Sequence, residues 1–225
     1  FSGDAARAAR QTHRIIPLAL ATGKYYLQYS PYVYYNEHCI VLNQTHQPMV
    51  VDKSTFQNLF SFLDLFPHYM IGSNADLPIV GGSILSHDHY QGGRHIFPIQ
   101  KAKVLYAFPL GQEDTLVELV KWPLSTIRLT STSKEALIHL SCRILDCWRS
   151  NDAPAYGIFS HTGTTPHNTI TPIARRVGQK YQIDLVLRNN RTDETYPDGI
   201  FHPHPSLHHI KKENIGLIEV MGLAI

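Results

Sequence analysis

Apolar positions recur along the chain with two different periods, and each period predicts a type of secondary structure. A helical spacing of i, i+3, i+4 and i+7 fills the segment from Asp52 or Ser54, either of which can cap a helix, to Pro67, which ends it. A capping box at 132–135 predicts the start of a second helix. The apolar residues that define the two helix faces are Phe56, Leu59, Phe60, Leu63, Phe66, Leu137, Leu140, Ile144 and Trp148.

Runs that are rich in β-branched and aromatic residues predict strands around both helices. A turn at 177–180 predicts a hairpin between two of them, and residues 189–209 are expected to form a long loop rich in Pro and His. A short helix is one interpretation of residues 4–14. The predicted strands span residues 24–29, 33–35, 39–42, 69–71, 79–85, 101–108, 156–159, 167–176, 181–188 and 215–225.

The order of these elements indicates the fold class. Strand, strand, helix, strand, strand is typical of an α+β fold, in which helices pack on one side of an antiparallel sheet. The second part of the chain repeats this order without repeating any residue string. We therefore expect two similar halves, residues 1–108 and residues 109–225, each with an antiparallel sheet and a helix packed on it.

Composition narrows the class of protein further. The chain has 225 residues, of which 43% are hydrophobic and 17% charged, and its net charge of +2 gives no reason to expect nucleic acid or an anionic membrane as a partner. Its three cysteines form no C-x-x-C pair, which favours a reducing compartment. No apolar run reaches roughly 18 residues and no signal peptide is visible, so a cytoplasmic location is expected. The sequence begins without Met and stops within an apolar run, so we expect a C-terminal fragment of a longer protein.

The segment 80–93 carries the most distinctive chemistry, because a His-x-His-x-Gln string is flanked by Gly-Gly on both sides. In an extended backbone His87, His89 and Gln91 would lie on one face. An imidazole can attack phosphorus, and an amide N–H can hold a non-bridging oxygen. A polar strand edge with solvated histidines is the alternative that the spacing alone leaves open.

This segment, together with residues 71–78, resembles the active-site strand of the histidine-triad superfamily in its transferase branch. It is similar in particular to the galactose-1-phosphate uridylyltransferases of the form found mainly in Gram-positive bacteria. Blocks at 166–172, 184–190 and 211–219 resemble the same family. The resemblance implies a histidine-triad-like fold and an enzyme that moves UMP from UDP-glucose to galactose 1-phosphate through a uridylyl-histidine, without a cofactor.

The resemblance also implies roles for individual residues. His89 would be the nucleophile, Gln91 would hold the phosphoryl oxygen, and His87 would orient the site. In the approach to this strand, the backbone N–H groups of Gly82 and Ser83 and the Ser83 hydroxyl can bind a diphosphate. The remaining expected substrate contacts are Asn74, Arg188, Asn189, Lys212 and Glu219, and a structural salt bridge is the alternative role for Glu219.

Several alternatives remain open. The histidines at 202–209 lack a Gly-rich approach and a Gln, so we expect a loop beside the site there and no metal site. A dinucleoside polyphosphate phosphorylase of the same superfamily is the alternative enzyme. A catalytically silent nucleotide-binding fragment is the alternative from another class. Small-molecule substrates (a UDP-hexose and a hexose 1-phosphate) are the expected partners, and the resemblance leaves a homodimer open.

Overall fold

The computed structural model describes residues 14–82, 84–110, 114–213 and 215–225, so the helix considered for 4–14 lies outside them except for its last residue. The helices are α1 (Lys53–Leu65), α2 (Lys134–Arg149) and α3 (Gly216–Val220), with 3-10 turns at Pro98–Lys101, Pro154–Tyr156 and Pro205–Ile210. The strands are β1 (Ile16–Leu20), β2 (Gly23–Tyr29), β3 (Cys39–Asn43), β4 (Met70–Gly72), β5 (His89–Gly93), β6 (Val104–Pro109), β7 (Leu116–Val120), β8 (Thr126–Ser131), β9 (His161–Thr162), β10 (Thr165–Pro166), β11 (Asn168–Val177) and β12 (Lys180–Asn189).

Ten of these strands form one sheet, in the order β1-β2-β3-β5-β4-β11-β12-β8-β7-β6, while β9 and β10 pair with each other in a separate two-stranded sheet. Each pair of neighbouring strands in the ten-stranded sheet is antiparallel. Strands β1 to β5 form one part of this sheet, and β6, β7, β8, β11 and β12 form the other. The β4–β11 pair joins the two parts. The predicted α+β class, with helices on an antiparallel sheet, is confirmed. The division into two similar halves at residue 108 stays a prediction.

Both predicted long helices are present, and local capping explains where they begin. The Asp52 carboxylate accepts from the backbone N–H groups of Ser54 and Thr55, and the Thr55 hydroxyl accepts from the Asp52 N–H. Ser133 is the N-cap of α2, and its hydroxyl accepts from the N–H of Ala136. The predicted apolar face of α1 is buried except for the half-buried Phe66. On α2 only Leu137 of the predicted face is fully buried, and Leu140, Ile144 and Trp148 are half-buried.

The two faces of the sheet have different coverings. Helices α1 and α2 cover one face, where Tyr90 belongs to the larger apolar core. On the other face α3 packs with Phe97 and Ile173 in a second core. Because side chains alternate along a strand, His89 and Gln91 point away from α1, to the face on which α3 lies. This alternation places the candidate chemistry on the face opposite the long helices.

Four of the predicted strands are wrong, and each has a local cause. The segment predicted at 79–85 begins in a turn, since the N–H of Gly81 donates to Leu77 O and Ile79 has a φ of 71°. Residues 33–35 form no strand. The Tyr35 hydroxyl donates to Gly92 O, and β3 pairs with β2 instead of with this segment. Residues 156–159 begin in a 3-10 turn that follows Pro154. Residues 215–225 contain the helix α3.

None of the helices in the described ranges is long and apolar enough to cross a membrane.

Candidate active site

His89 opens β5 and its imidazole is held in one orientation. Its Nδ1 lies 2.8 Å from the backbone carbonyl oxygen of His87. A carbonyl oxygen only accepts, so Nδ1 carries the proton and Nε2 carries the free lone pair. The side chain is buried, with 6% of the residue exposed. The hydrogen bond to a backbone carbonyl that a histidine nucleophile requires is therefore present.

Burial also sets the charge of this ring. Desolvation lowers the pKa of His89, while the hydrogen bond to the His87 carbonyl and the charge of Asp88 act in the opposite direction. A lowered pKa keeps the imidazole neutral at neutral pH, because an unperturbed histidine titrates near pH 6.5. The Nε2 lone pair is thus available for attack on phosphorus.

His87 contributes to the site mainly through its backbone. It precedes β5, and its imidazole Nε2 lies 2.8 Å from Asn43 O, with its ring against that of His46. The expected common face therefore holds for the two strand residues His89 and Gln91. The orienting contact to His89 is made by the His87 carbonyl, whereas its imidazole contacts the end of β3.

Gln91 follows His89 on the same face, and its carboxamide is engaged on one side. Its Oε1 lies 3.3 Å from Nε2 of His38, a residue that is 3% exposed. An oxygen that accepts from His38 leaves the Nε2 N–H groups of Gln91 as the donors for a ligand. No sequence pattern pointed to His38, which lies just before β3 and 53 residues from Gln91.

Asn74 connects His89 with α3. Its Nδ2 lies 3.5 Å from Nε2 of His89, and its Oδ1 accepts from the N–H of Leu217 at 3.0 Å. A Cβ added to Gly82 would lie 2.6 Å from the same Nδ2, so only glycine fits there without moving the amide. The loop after β4, Gly82 and α3 therefore meet at His89. The other expected phosphate contact, Ser83, lies outside the described residues.

A second group of charged side chains is buried beside α3. Glu219 accepts from Lys211 Nζ at 2.9 Å and from the N–H of Ile215 at 2.9 Å. The side chains of Lys211 and Glu219 are 8% and 16% exposed. Arg188 donates to Thr171 Oγ1 at 3.3 Å, and its buried Nε finds no hydrogen-bond partner among the described residues. Burial lowers the pKa of Arg188 to about 10, against the opposing charge of Glu219.

Two residues expected at the site are placed differently. Lys212 is exposed, and the buried lysine is its neighbour Lys211. The Asn189 amide donates to Phe159 O and to Asn168 Oδ1, and its oxygen accepts from the N–H of Arg191. These bonds use the amide of Asn189 to hold the chain that follows β12.

The histidine-rich loop lies next to the charged group. Burial lowers the pKa of His202, and the neighbouring charge of Lys211 lowers it further. The rings of His202 and His208 are in contact, with centroids 5.7 Å apart. Across the described ranges, no group of three or more His, Cys, Asp or Glu side chains is arranged to hold a metal ion.

The antiparallel sheet with helices packed on it is an α+β architecture of the histidine-triad-like kind. A crystal structure of a DUF4931 family protein from Bacillus cereus has a similar architecture, with a TM-score of 0.53 over 92% of this chain and 96% of that one. At 8% sequence identity this likeness concerns the fold alone.

Sequence comparison gives the family. The model of the galactose-1-phosphate uridyl transferase C-terminal domain matches residues 62–225. The galactose-1-phosphate uridylyltransferases of Clostridium acetobutylicum and Bacillus subtilis are 62% and 56% identical to this chain over 226 aligned residues. The chain belongs to the galactose-1-phosphate uridylyltransferase family, as the resemblance predicted. All of this chain matches, but it spans 46% and 44% of those two relatives, which is about half of their length.

Proposed function

We propose that the chain carries the nucleotidyl-transfer site of an enzyme that moves UMP from UDP-glucose to galactose 1-phosphate. The observation that carries this proposal is the geometry of His89, whose Nδ1–H is tied to the His87 carbonyl while Nε2 faces Asn74. Membership in the family and the names of its curated relatives support the choice of substrates.

In the first half-reaction Nε2 of His89 attacks the α-phosphorus of UDP-glucose. An N–P bond forms, the bond from that phosphorus to the bridging oxygen breaks, and glucose 1-phosphate leaves with the electron pair. The imidazole becomes a cation that keeps its Nδ1–H bond to the His87 carbonyl. The N–H groups of Gln91 and Asn74 donate to the non-bridging oxygens, where charge builds up in the transition state.

In the second half-reaction a phosphate oxygen of galactose 1-phosphate attacks the same phosphorus. The P–N bond breaks, its electron pair returns to Nε2, and UDP-galactose leaves with the neutral imidazole restored. One nucleophile thus serves two similar substrates in turn, which predicts ping-pong kinetics. Nothing in either step calls for a redox cofactor.

We assign the hexose phosphate to the charged group beside α3. Arg188 and Lys211 supply positive charge, and the Glu219 carboxylate can accept from sugar hydroxyls. Leu217 in α3 is bonded to Asn74, so this group is mechanically connected to the nucleophile. Lys211 replaces Lys212 in this proposal, because the Lys212 side chain is exposed.

The matched pair Lys211→Met and Lys212→Met tests this assignment. The Lys211 variant should raise KM for galactose 1-phosphate by about tenfold, the equivalent of one charged hydrogen bond. The Lys212 variant should leave KM unchanged. Equal effects of the two substitutions would remove Lys211 from the site.

The reaction itself is tested by incubation with UDP-glucose labelled in the α-phosphate. We expect an acid-labile, base-stable adduct on His89, and none in His89→Gln. An adduct on another residue would overturn the mechanism. No adduct on the 225-residue chain, under conditions in which a full-length relative forms one, would mark the chain as an incomplete binding fragment. Turnover of dinucleoside polyphosphates without hexose 1-phosphate would favour the phosphorylase.

A homodimer and a cytoplasmic location stay part of this proposal. Light scattering of the purified protein measures the first, and cell fractionation measures the second.

A further inference from the structure

A buried histidine that the mechanism does not use lies against Gln91. His38 is the residue just before β3, and its Nε2 lies 3.3 Å from Gln91 Oε1. In the β3–β5 pair Ile40 lies opposite Gln91, which makes His38 its diagonal neighbour on the same face. Long side chains in diagonal positions of a sheet reach each other.

The His38 ring is held in place from several directions. Its centroid lies 4.4 Å from that of Tyr35 and 5.6 Å from that of Tyr34. Its backbone carbonyl accepts from the N–H of Ser30, and its own N–H donates to Tyr35 O. Tyr35 in turn donates to Gly92 O, next to Gln91 in β5. The imidazole therefore has little freedom to follow a carboxamide that moves.

The second ring nitrogen fixes the direction of the hydrogen bond. Nδ1 of His38 is buried and has no hydrogen-bond partner within the described part of the chain. A buried N–H without an acceptor is more costly and much rarer than an unpaired acceptor, so the proton lies on Nε2. Burial also lowers the pKa of His38, which keeps the ring neutral with that single proton.

We propose that His38 is a positioning residue that donates from Nε2 to Gln91 Oε1 and so turns the Gln91 N–H groups toward the phosphoryl oxygen beside His89. This inference rests on the proposed uridylyl transfer and adds to it the device that orients the amide. A glutamine amide can flip by 180° and present its oxygen, which would repel a phosphoryl oxygen in place of binding it. A rigid donor on the oxygen side removes that orientation.

The test compares three substitutions in the intact protein by rapid-quench measurement of uridylyl-enzyme formation. His38→Phe keeps an aromatic ring between the tyrosines but removes the donor, and we expect the rate constant to fall on the order of tenfold with little change in the Kd of UDP-glucose. His38→Gln places an amide N–H near the position of Nε2 and should recover most of the rate. His95→Phe is the matched control. Like His38, His95 packs on Tyr35, but its other ring contact is Phe97 and it makes no bond to Gln91.

A double-mutant cycle separates positioning from simple packing. In a Gln91→Ala background, His38→Phe should reduce the rate by less than about twofold, because the amide it orients is absent. An equal loss in both backgrounds overturns the proposal, and so does a His38→Gln protein that is no faster than His38→Phe.

The side-chain amide signals of Gln91 in NMR spectra give a reading that needs no activity. We expect two separate, slowly exchanging signals in the unsubstituted protein and in His38→Gln. In His38→Phe, or in His38→Leu if the first variant does not fold, they should broaden or exchange faster. Unchanged signals refute the positioning role. An unsubstituted protein that forms no adduct refutes the proposed reaction, and the Gln91 signals still decide the role of His38.

Discussion

Replacing Asn74 with Asp should convert His89, the proposed nucleophile, into a cation near neutral pH. The substitution keeps an oxygen for the N–H of Leu217 and replaces the amide group, 3.5 Å from Nε2 of His89, with a carboxylate oxygen. At that distance Coulomb's law with an effective dielectric constant of about 20 gives roughly 4–5 kcal/mol between two unit charges. That energy is an upper bound equivalent to about three pKa units, and neighbouring carboxylates usually raise a histidine pKa by one to three.

The sign of the effect on rate follows from the proposed mechanism. Nε2 attacks only when it is unprotonated, so in Asn74→Asp the rate of uridylyl-enzyme formation should fall about tenfold for each pH unit below the new pKa. At high pH the rate should approach that of the unsubstituted protein. Folding stability responds to the same shift. The raised pKa of His89 in the folded state adds stability below the pKa of the unfolded chain, and this contribution is lost as pH rises through the folded-state value.

The assay is a pH profile of adduct formation from labelled UDP-glucose, measured before steady state. Asn151→Asp makes the same change in net charge on the exposed surface and should leave the profile unchanged. If the acid limb of Asn74→Asp stayed where it is in the unsubstituted protein, Nε2 of His89 would not be the attacking atom. An equal shift in Asn151→Asp would attribute the effect to net charge.

Three further outcomes are expected. Asp88→Asn should lower the pKa of His89, since the Asp88 charge raises it, and a histidine titration followed by NMR measures this; an unchanged pKa would contradict the coupling. Asp184→Asn removes a fully buried carboxylate that pairs with Arg128 and Arg175, and urea unfolding should show a loss of about 3–5 kcal/mol. A loss below about 1 kcal/mol would show that the pairing contributes little. Gly82→Ala should displace the amide of Asn74 and slow adduct formation with little change in Tm. Gly23→Ala is the control, because its added Cβ meets nothing within 4 Å, and it should leave the rate of adduct formation unchanged. Equal rates for the two variants would contradict the close fit at Gly82.

Elements whose pattern is local were predictable from the sequence. Helix α1 has its cap at Asp52 and its apolar spacing within one segment, and the β11–β12 hairpin has its turn at Gly178, where φ is 59°. Strands β1, β7 and β8 were not predicted. β1 lies at the edge of the sheet and, like β7, is mostly exposed or half-buried, so the apolar pattern of both is weak. β8 is buried partly by β12, which lies far along the chain. The same reason explains the error at α3. Its apolar residues fill a core that belongs to other elements, and Gly216 fits closely against Gly81 O.

In the candidate site, too, some contacts were predictable from the sequence and others were not. His89 and Gln91 share a face because they are two residues apart in one strand, which the spacing alone predicts. His38 contacts Gln91 through strand pairing, and Asn74 contacts Leu217 across 143 residues of the chain. Neither contact can be recognised from the sequence. Lys211 and Lys212 look equivalent in sequence. The direction of the chain before α3 decides which of the two side chains is buried with Glu219.

Two opposing influences on His89 would make the proposed covalent relay workable. Burial lowers the pKa of the ring and supplies the neutral lone pair that attack requires. The same burial would disfavour the imidazolium of the uridylyl intermediate unless a negative charge lay nearby. Asp88 supplies this charge: it is 7% exposed, and its Oδ2 is bonded to the Tyr25 hydroxyl and the Asn43 amide on the side of α1. Since adjacent residues point to opposite faces of a strand, the carboxylate does not compete for phosphate, and it acts on the ring only through its field.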